Sequence, residues 1–395
     1  MSHSGSSVKC ASVVMVFFIV GWIDLWVPAR LASQGVSIPM STADRLLTPG
    51  SWPTKGLEPH ERYVGSSKCA GCHSQIAGTQ ETTAMAHASA LANSGAFSKP
   101  ILGVPLTAHF GPYSYEISET PSGFSYSVSD GRRSVTTPLG WVFGSGHFGQ
   151  TYVYQQKGIF YESHLSYYPG IRGLDFTTGH KLAPASVDKA LGAPQNPDTI
   201  RGCFGCHTTA STTSGRFDPA RLVPGVGCES CHGPGSQHVA AMSLSEGNQA
   251  SSFMLDPASL SPSDSVDFCG ACHRTSLDVI QMGIHGVFTA RFPAYRLEAS
   301  RCWGSDGDSR VTCVACHDPH QPLVTDGVSY DKNCLNCHVL AAASKPAKDH
   351  PGAACPVAQK DCISCHLRKY NIPEMHADFT DHKIAIHRPG ESFEE

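Results

Sequence analysis

Apolar and polar positions alternate most regularly between Phe97 and Gly179, a stretch without cysteine. In YSYEIS (113–118) and FSYSVS (124–129), aromatic or aliphatic residues take every second place, with Ser or Glu between them. Strand side chains point alternately to opposite faces, so this period of two predicts half-buried strands. WVF (141–143), TYVY (151–154) and GIFYESHL (158–165) continue the pattern, and Pro-Ser-Gly and Asp-Gly steps between runs predict antiparallel hairpins. Elsewhere 38 glycines and 27 prolines break the chain into loops and short helical turns.

The N-terminus follows another pattern. Lys9 precedes an apolar run, Ala11 to Ile23, and Val27-Pro28-Ala29 follows with a small residue at a cleavage position, predicting an export signal over 1–29. The run is short for a membrane span and Asp24 interrupts it. Cys10, preceded by Val8 and Lys9, lacks a lipoprotein cleavage context. Ser33 to Glu61, rich in Pro, Ser and Thr, predicts an extended arm over 30–62.

Composition sharpens this picture in one respect. The 395 residues include 17 cysteines, while charged residues make up 16% and the net charge is −4, so no basic surface argues for nucleic acid. Fourteen cysteines fall into seven C-x-x-C-H motifs. In order, they are Cys69/Cys72/His73, Cys203/Cys206/His207, Cys228/Cys231/His232, Cys269/Cys272/His273, Cys313/Cys316/His317, Cys334/Cys337/His338 and Cys362/Cys365/His366. At this composition chance would supply roughly 0.04 copies. A two-residue gap lets both sulfurs reach one porphyrin edge as thioethers, and the adjacent histidine is then carried under the ring as proximal iron ligand. Zinc ribbons and disulfide scaffolds make no use of a histidine after every second cysteine. Thioredoxin-like C-x-x-C occurs singly within alternating strands and helices, a pattern missing here. Seven covalent haem c groups are therefore expected, their porphyrins forming most of the interior.

Apart from the seven motif histidines and His3, thirteen histidines remain for the opposite iron faces. His238, six residues past His232, and His320, three past His317, are too close to reach the far side of their own haem and are expected to serve neighbours. His87, with 14 residues of slack after His73, and His180, His350, His376, His382 and His285 are further candidates, followed by His147 and His164. Met85 and Met375 are rival ligands, disfavoured because histidines are in surplus. The motif starts Cys203 and Cys228, and Cys313 and Cys334, lie close together in sequence and suggest two-haem units. Residues 63–395 are expected to form one heptahaem domain with the β-rich insertion at about 97–179, serving as a lid or a docking surface. Cys302 and Cys355 are left over and most simply form a disulfide in an exported chain.

CESCHGPGSQH, CVACHDPH, RFPAYRLEASRCW, ACPVAQKDCISCH and MHADFTDHKIAIHRP together resemble bacterial multihaem cytochromes c with doubled C-x-x-C-H motifs, relatives of the nitrifier tetrahaem cytochromes and hydroxylamine-oxidoreductase-like proteins. The resemblance runs from about Tyr63 to Pro389. It implies stacked bis-histidine haems wrapped by short helices and loops, electron transfer in the periplasm or at the cell surface, and His238, His320 and His382 as distal ligands. The frequent Cys-His-Met-Pro ending of the last motif is replaced by Cys365-His366-Leu367-Arg368. Helical repeats found in many relatives are not seen before Glu395, so docking through repeats is not expected. Implied partners are redox donors and acceptors. The alternatives are a nitrite- or hydroxylamine-type oxidoreductase with one open haem, or a subunit of a cytochrome filament or membrane redox complex. The processed chain is expected to weigh its amino acids plus seven haems and to show a Soret band. Intact mass spectrometry that returns the polypeptide mass alone would end this reading.

Overall fold

The strands of the alternating segment come out nearly where the period of two puts them. The computed structural model describes residues 58–244, 251–300, 302–303, 311–336, 338, 355–388 and 390–395, all within one compact unit. The expected signal segment and nearly all of the expected arm lie outside the described residues. Ten strands run β1 (Ser89–Leu91), β2 (Thr107–Phe110), β3 (Tyr113–Thr120), β4 (Gly123–Ser129), β5 (Ser134–Pro138), β6 (Trp141–Phe143), β7 (Gln150–Gln156), β8 (Ile159–Tyr168), β9 (Gly173–Phe176) and β10 (Gly192–Pro194). They form two antiparallel sheets, one ordered β1-β6-β7-β8-β10 with β9 also on β8, the other β2-β3-β4-β5. Strand structure thus begins before Phe97 and ends after Gly179.

The hairpins follow from their turn residues. Lys157-Gly158 joins Gln156 to its partner Ile159, and both residues have positive φ (49° and 82°), as a two-residue turn matched to strand twist requires. At the β4–β5 turn the Asp130 carboxylate accepts from the Arg132 and Arg133 amides at 2.9 and 2.8 Å, while Gly131 takes φ 81°.

Alternation decides what the sheets bury. Tyr113, Tyr115 and Ile117 of β3 and Tyr126 and Val128 of β4 share a core with Tyr152 and Tyr154 of β7 and Leu165 and Tyr167 of β8. Phe110 of β2 meets Phe176 of β9 at 4.4 Å, closing one end. The helix α3 (Val187–Leu191), capped by Ser186 Oγ accepting from the Lys189 amide, adds Val187, Ala190 and Leu191. The β segment therefore carries its own aromatic core.

Short helices carry everything else that matters: α1 (Ser66–Ala70), α2 (Ser74–Gln80), α4 (Pro197–His207), α5 (Cys228–His232), α6 (Ser236–Ser243), α7 (Pro262–His273), α8 (Ser276–Met282), α9 (Pro293–Glu298), α10 (Cys313–Cys316), α11 (Asp331–Leu335) and α12 (Cys362–His366). The two longest have explicit start signals. Asn196 caps α4 through Thr199 N at 2.8 Å and Ser261 caps α7 through Asp264 N at 3.2 Å, each followed by Pro at the first helical position. Among the described residues no helix is long and apolar enough to cross a membrane.

Tyr152 is fully buried and its hydroxyl has no hydrogen-bond partner. Removing only the hydroxyl relieves a desolvated polar group, whereas removing the ring opens a cavity. Tyr152→Phe is therefore expected to leave stability unchanged or raised, and Tyr152→Ala to cost about 3–5 kcal/mol, measured by denaturant unfolding.

Candidate functional site

Each motif sits on a helical turn, for a reason visible in its spacing. On a helix, residues three and four apart share a face, so the two cysteines and the following histidine project together. Where the helix stops short, the backbone still closes the turn: His73, His317 and His338 amides donate to the carbonyls of Cys69, Cys313 and Cys334 at 2.8, 2.9 and 2.9 Å. Cys337 lies outside the described residues.

The two thiols of the first motif differ in depth. Helix α1 ends at Ala70, so Cys72 falls in the turn beyond it, its amide donating to Cys69 O at 3.1 Å. The Cys72 side chain is exposed, and among the described residues its thiol meets no thiol of another motif, whereas Cys69 is half-buried against Cys228. The cause is position: the first motif is clamped on one side only, by the third, and Cys72 is on the open side. Cys316 and Cys365 are exposed as well, and so is Cys272, although it meets Cys206.

Two buried carboxylates tie motifs into pairs. Glu229, one of the two spacer residues of the third motif, accepts from the Val64, Gly65 and Gly235 amides at 2.9, 2.8 and 2.8 Å, clamping the start of the first motif's helix. Asp331, three residues before Cys334, accepts from the Asp361 and Cys362 amides at 2.6 and 2.8 Å, clamping the seventh motif to the sixth. Those two amides hold the Asp331 carboxyl below its ordinary range. Neither acid stands out in the sequence, because its partners are backbone groups distant along the chain.

Further contacts join the motifs into one array. The Cys69 and Cys228 thiols are neighbours, as are those of Cys206 and Cys272, Cys269 and Cys313, and Cys334 and Cys362. Thr209 Oγ1 meets Ser230 Oγ of the third motif at 2.7 Å, and Asn333 Nδ2 donates to Ala315 O of the fifth at 3.0 Å. Sequence neighbours two and three, and five and six, therefore do meet, but the thiol contacts link one to three, two to four, four to five and six to seven.

Four of the imidazoles are prepared in the same way. Nδ1 of His207, His232 and His366 bonds the carbonyls of Ala88, Leu255 and Ala385 at 3.0, 2.8 and 2.8 Å, and Nδ1 of His382 bonds Thr380 O at 3.0 Å. A carbonyl can only accept, so each Nδ1 carries the hydrogen and each Nε2 keeps its lone pair, the arrangement of metal-ligating histidine. Burial lowers the pKa of His207 and His317, and lowers His382 to about 4 with His317 adding to the effect, favouring the neutral ring.

Three of the sequence candidates face motif histidines. Ring centres lie 6.4 Å apart for His73 and His238 (planes 28° apart), 5.9 Å for His232 and His320 (8°) and 6.3 Å for His317 and His382 (48°). A metal–imidazole bond of about 2 Å on each face, plus about 1 Å from nitrogen to ring centre, sets two axial rings roughly 6 Å apart. The donor set and its spacing suit an iron held between each pair.

The remaining candidates are placed otherwise. His180 Nε2 meets Glu162 at 3.0 Å and its Nδ1 meets His164 Nδ1 at 3.3 Å, within the β segment. His376 Nε2 meets Asp175 at 2.8 Å, and His285, with a largely exposed side chain, meets Glu395 at 3.1 Å. His87 and His147 are exposed. His350 lies outside the described residues. Met375 Sδ accepts from Arg291 at 2.8 Å. Cys302 and Cys355 are not bonded to each other; Cys355 is exposed and Cys302 neighbours Cys334.

Recurring C-x-x-C-H turns, three of them with the histidine tautomer fixed by a carbonyl, are the marks of multihaem c-type cytochromes, and comparison with known proteins supports that class. The family described as cytochrome c554 and c-prime matches residues 177–233, which span the second and third motifs. The chain is also similar to the multiheme cytochrome MtrA of Shewanella baltica (strain OS185), 23% identical over 203 residues, covering 47% of this chain and 52% of that protein. It thus spans about half the length of the curated relative it matches. No solved structure matches the chain.

His164 provides a pH handle away from the motifs. Burial, with His180 beside it, lowers its pKa to about 4. The unfolded chain takes up this proton near pH 6.5, the folded chain only near 4, so the stabilisation is complete above 6.5 and is lost as pH falls toward 4, at no more than about 1.4 kcal/mol per unit. Denaturant unfolding followed by circular dichroism across this window is expected to show that decline, flattened in His164→Phe.

Proposed function

We propose that this chain is an exported electron carrier, periplasmic or at the cell surface, with seven covalently attached haem c groups. The observation that carries this reading is the set of three imidazole pairs, 5.9 to 6.4 Å apart, each joining a motif histidine to one supplied by a distant segment. When bound, each haem supplies a one-electron ferric/ferrous couple. The chain's own work is to hold and space these groups. Cysteine pairs at all seven motifs are the covalent anchors, and His73, His207, His232, His273, His317, His338 and His366 the proximal ligands. His238, His320 and His382 complete the coordination at the first, third and fifth motifs.

Contacts between motifs support an order for the route. Motif one touches three, three touches two, two touches four, four touches five, five touches six and six touches seven. We read the ends of the array, motifs one and seven, as the exchange points with redox partners; the exposed Cys72 and Cys365 put an anchor of each end site at the surface. At the three paired sites a second histidine would fill the remaining coordination position, which favours relay there over bond-making chemistry, since that requires an open site. Haem propionates make the loaded protein more acidic than its −4 sequence charge, favouring partners with basic faces.

Replacing His238, His320 or His382 singly is expected to leave seven haems attached while converting one low-spin iron to high-spin. Electron-paramagnetic resonance beside a haem count reads both quantities. Spectra indistinguishable from the parent in all three variants would overturn the assignment.

A further inference from the structure

Helix α9 lies between the two sides of the fifth haem site. Its Ala294 and Leu297 form an apolar cluster with Val266 of the fourth motif's helix, against which Cys313 of the fifth motif and Ile384, two residues past His382, also pack. At its start, the Tyr295 amide donates to Arg274 O, one residue after His273, at 3.1 Å. One short element therefore touches the thioether side and the distal side of the same site.

The distal side is fastened to it by a polar clamp. Arg296, fully buried, bonds Asp381 through Nε at 2.7 Å and Nη2 at 2.8 Å, a two-pronged pair in which both side chains are about 1% exposed. Its Nη2 also donates to Glu394 O at 2.6 Å, and the Phe393 ring covers the guanidinium at 4.5 Å. Asp381 Oδ1 accepts the Lys383 amide at 3.0 Å. Just past α9, Ser300 Oγ donates to His382 O at 2.9 Å and accepts from the Ile384 amide at 2.8 Å. Every residue from Asp381 to Ile384 is thus gripped by α9 or its C-terminal extension, directly or through Asp381.

A buried ion pair is poor evidence of stabilisation, because desolvation of both ions offsets their attraction, and its better-attested use is fixing one arrangement among several. Here the arrangement fixed is the height and rotation of the His382 ring, whose plane stands 48° from that of His317, against 8° and 28° at the other two pairs.

We propose that Arg296, acting through Asp381 and seconded by Ser300, is the positioning residue that sets His382 as an axial ligand and fixes its ring plane against His317. This rests on the assignment of His382 as a distal ligand made above. It also implies that the fifth site differs electronically from its neighbours, because the angle between axial imidazole planes shapes the g-tensor of a low-spin haem.

The test uses the full chain, exported and loaded with haem, in four forms: parent, His382→Ala, the double variant Arg296→Met/Asp381→Leu, and Ser300→Ala. The double variant removes both charges together, so that no uncompensated ion stays buried. Haem count, unfolding midpoint and electron-paramagnetic resonance are read for each. We expect His382→Ala to turn one haem high-spin. The double variant is expected to keep seven haems and a near-parent midpoint, yet move the g-values of that same haem or give it a high-spin fraction. Ser300→Ala is expected to move them less, in the same direction. If His382→Ala changes nothing, the ligand assignment fails and the positioning role with it. If His382→Ala acts but the double variant retains parent g-values, only the positioning role is overturned. Should the double variant load fewer haems, Ser300→Ala decides, and unchanged g-values there overturn the proposal.

Discussion

On the proposed reading, two imidazoles from remote parts of the chain must be brought to about 6 Å with their lone pairs free, a constraint the fold meets at three motifs. The motif supplies one ring locally. The other must come from a loop whose position is settled by the fold, and its Nδ1 hydrogen must be engaged so that Nε2 is available. His382 shows the full provision: a carbonyl two residues back for Nδ1, a hydroxyl on its main chain and a buried ion pair beside it. His232 has the equivalent on the proximal side through Leu255 O.

The molecule meets its need for a core in two ways. Between the sheets, tyrosines and phenylalanines pack as in any sandwich, and that region holds itself together with side chains alone. Around the motifs the apolar clusters are small, Val266 with Ala294 and Leu297 being one, and polar clamps take a larger share. Glu229 and Asp331 accept backbone amides from partner motifs, which fixes the separation of two thiol turns without adding side-chain bulk between them. On the proposed reading, porphyrin faces complete the packing there, and axial bonds join the segments that the clamps orient.

What was legible in the sequence follows from what is local. The C-x-x-C-H spacing is a property of one helical turn, and the strands of YSYEIS and FSYSVS declare themselves through a period of two, so both could be read directly. How deeply each thiol sits is not local, and Cys72 and Cys69 of one motif differ in exposure because only one of them faces a second motif. The histidines proposed as distal ligands also depend on tertiary contacts. Chain length forbids His238 and His320 their own haem, and each lies against the histidine of a different motif. His180, His376 and His285 look no different in sequence, yet each meets a carboxylate, Glu162, Asp175 or Glu395, that only the fold brings near. Likewise Glu229 reads as an ordinary spacer within a motif. Its burial follows from the chain crossing at Val64 and Gly65, over 160 positions away.

The array's connectivity carries the same lesson further. Closeness in sequence does bring motifs two and three, and five and six, into contact, but it cannot show that motif three lies between one and two, or that two reaches four through Cys206 and the Ala271 carbonyl at 3.6 Å. The β segment, about a hundred residues inserted between the first two motifs, separates them in sequence, and the third motif occupies the space beside the first. An insertion of that size would break a route laid out in sequence order. A route that passes through spatial neighbours is indifferent to it, so the chain can house a folded sandwich between two motifs and still keep every motif beside another.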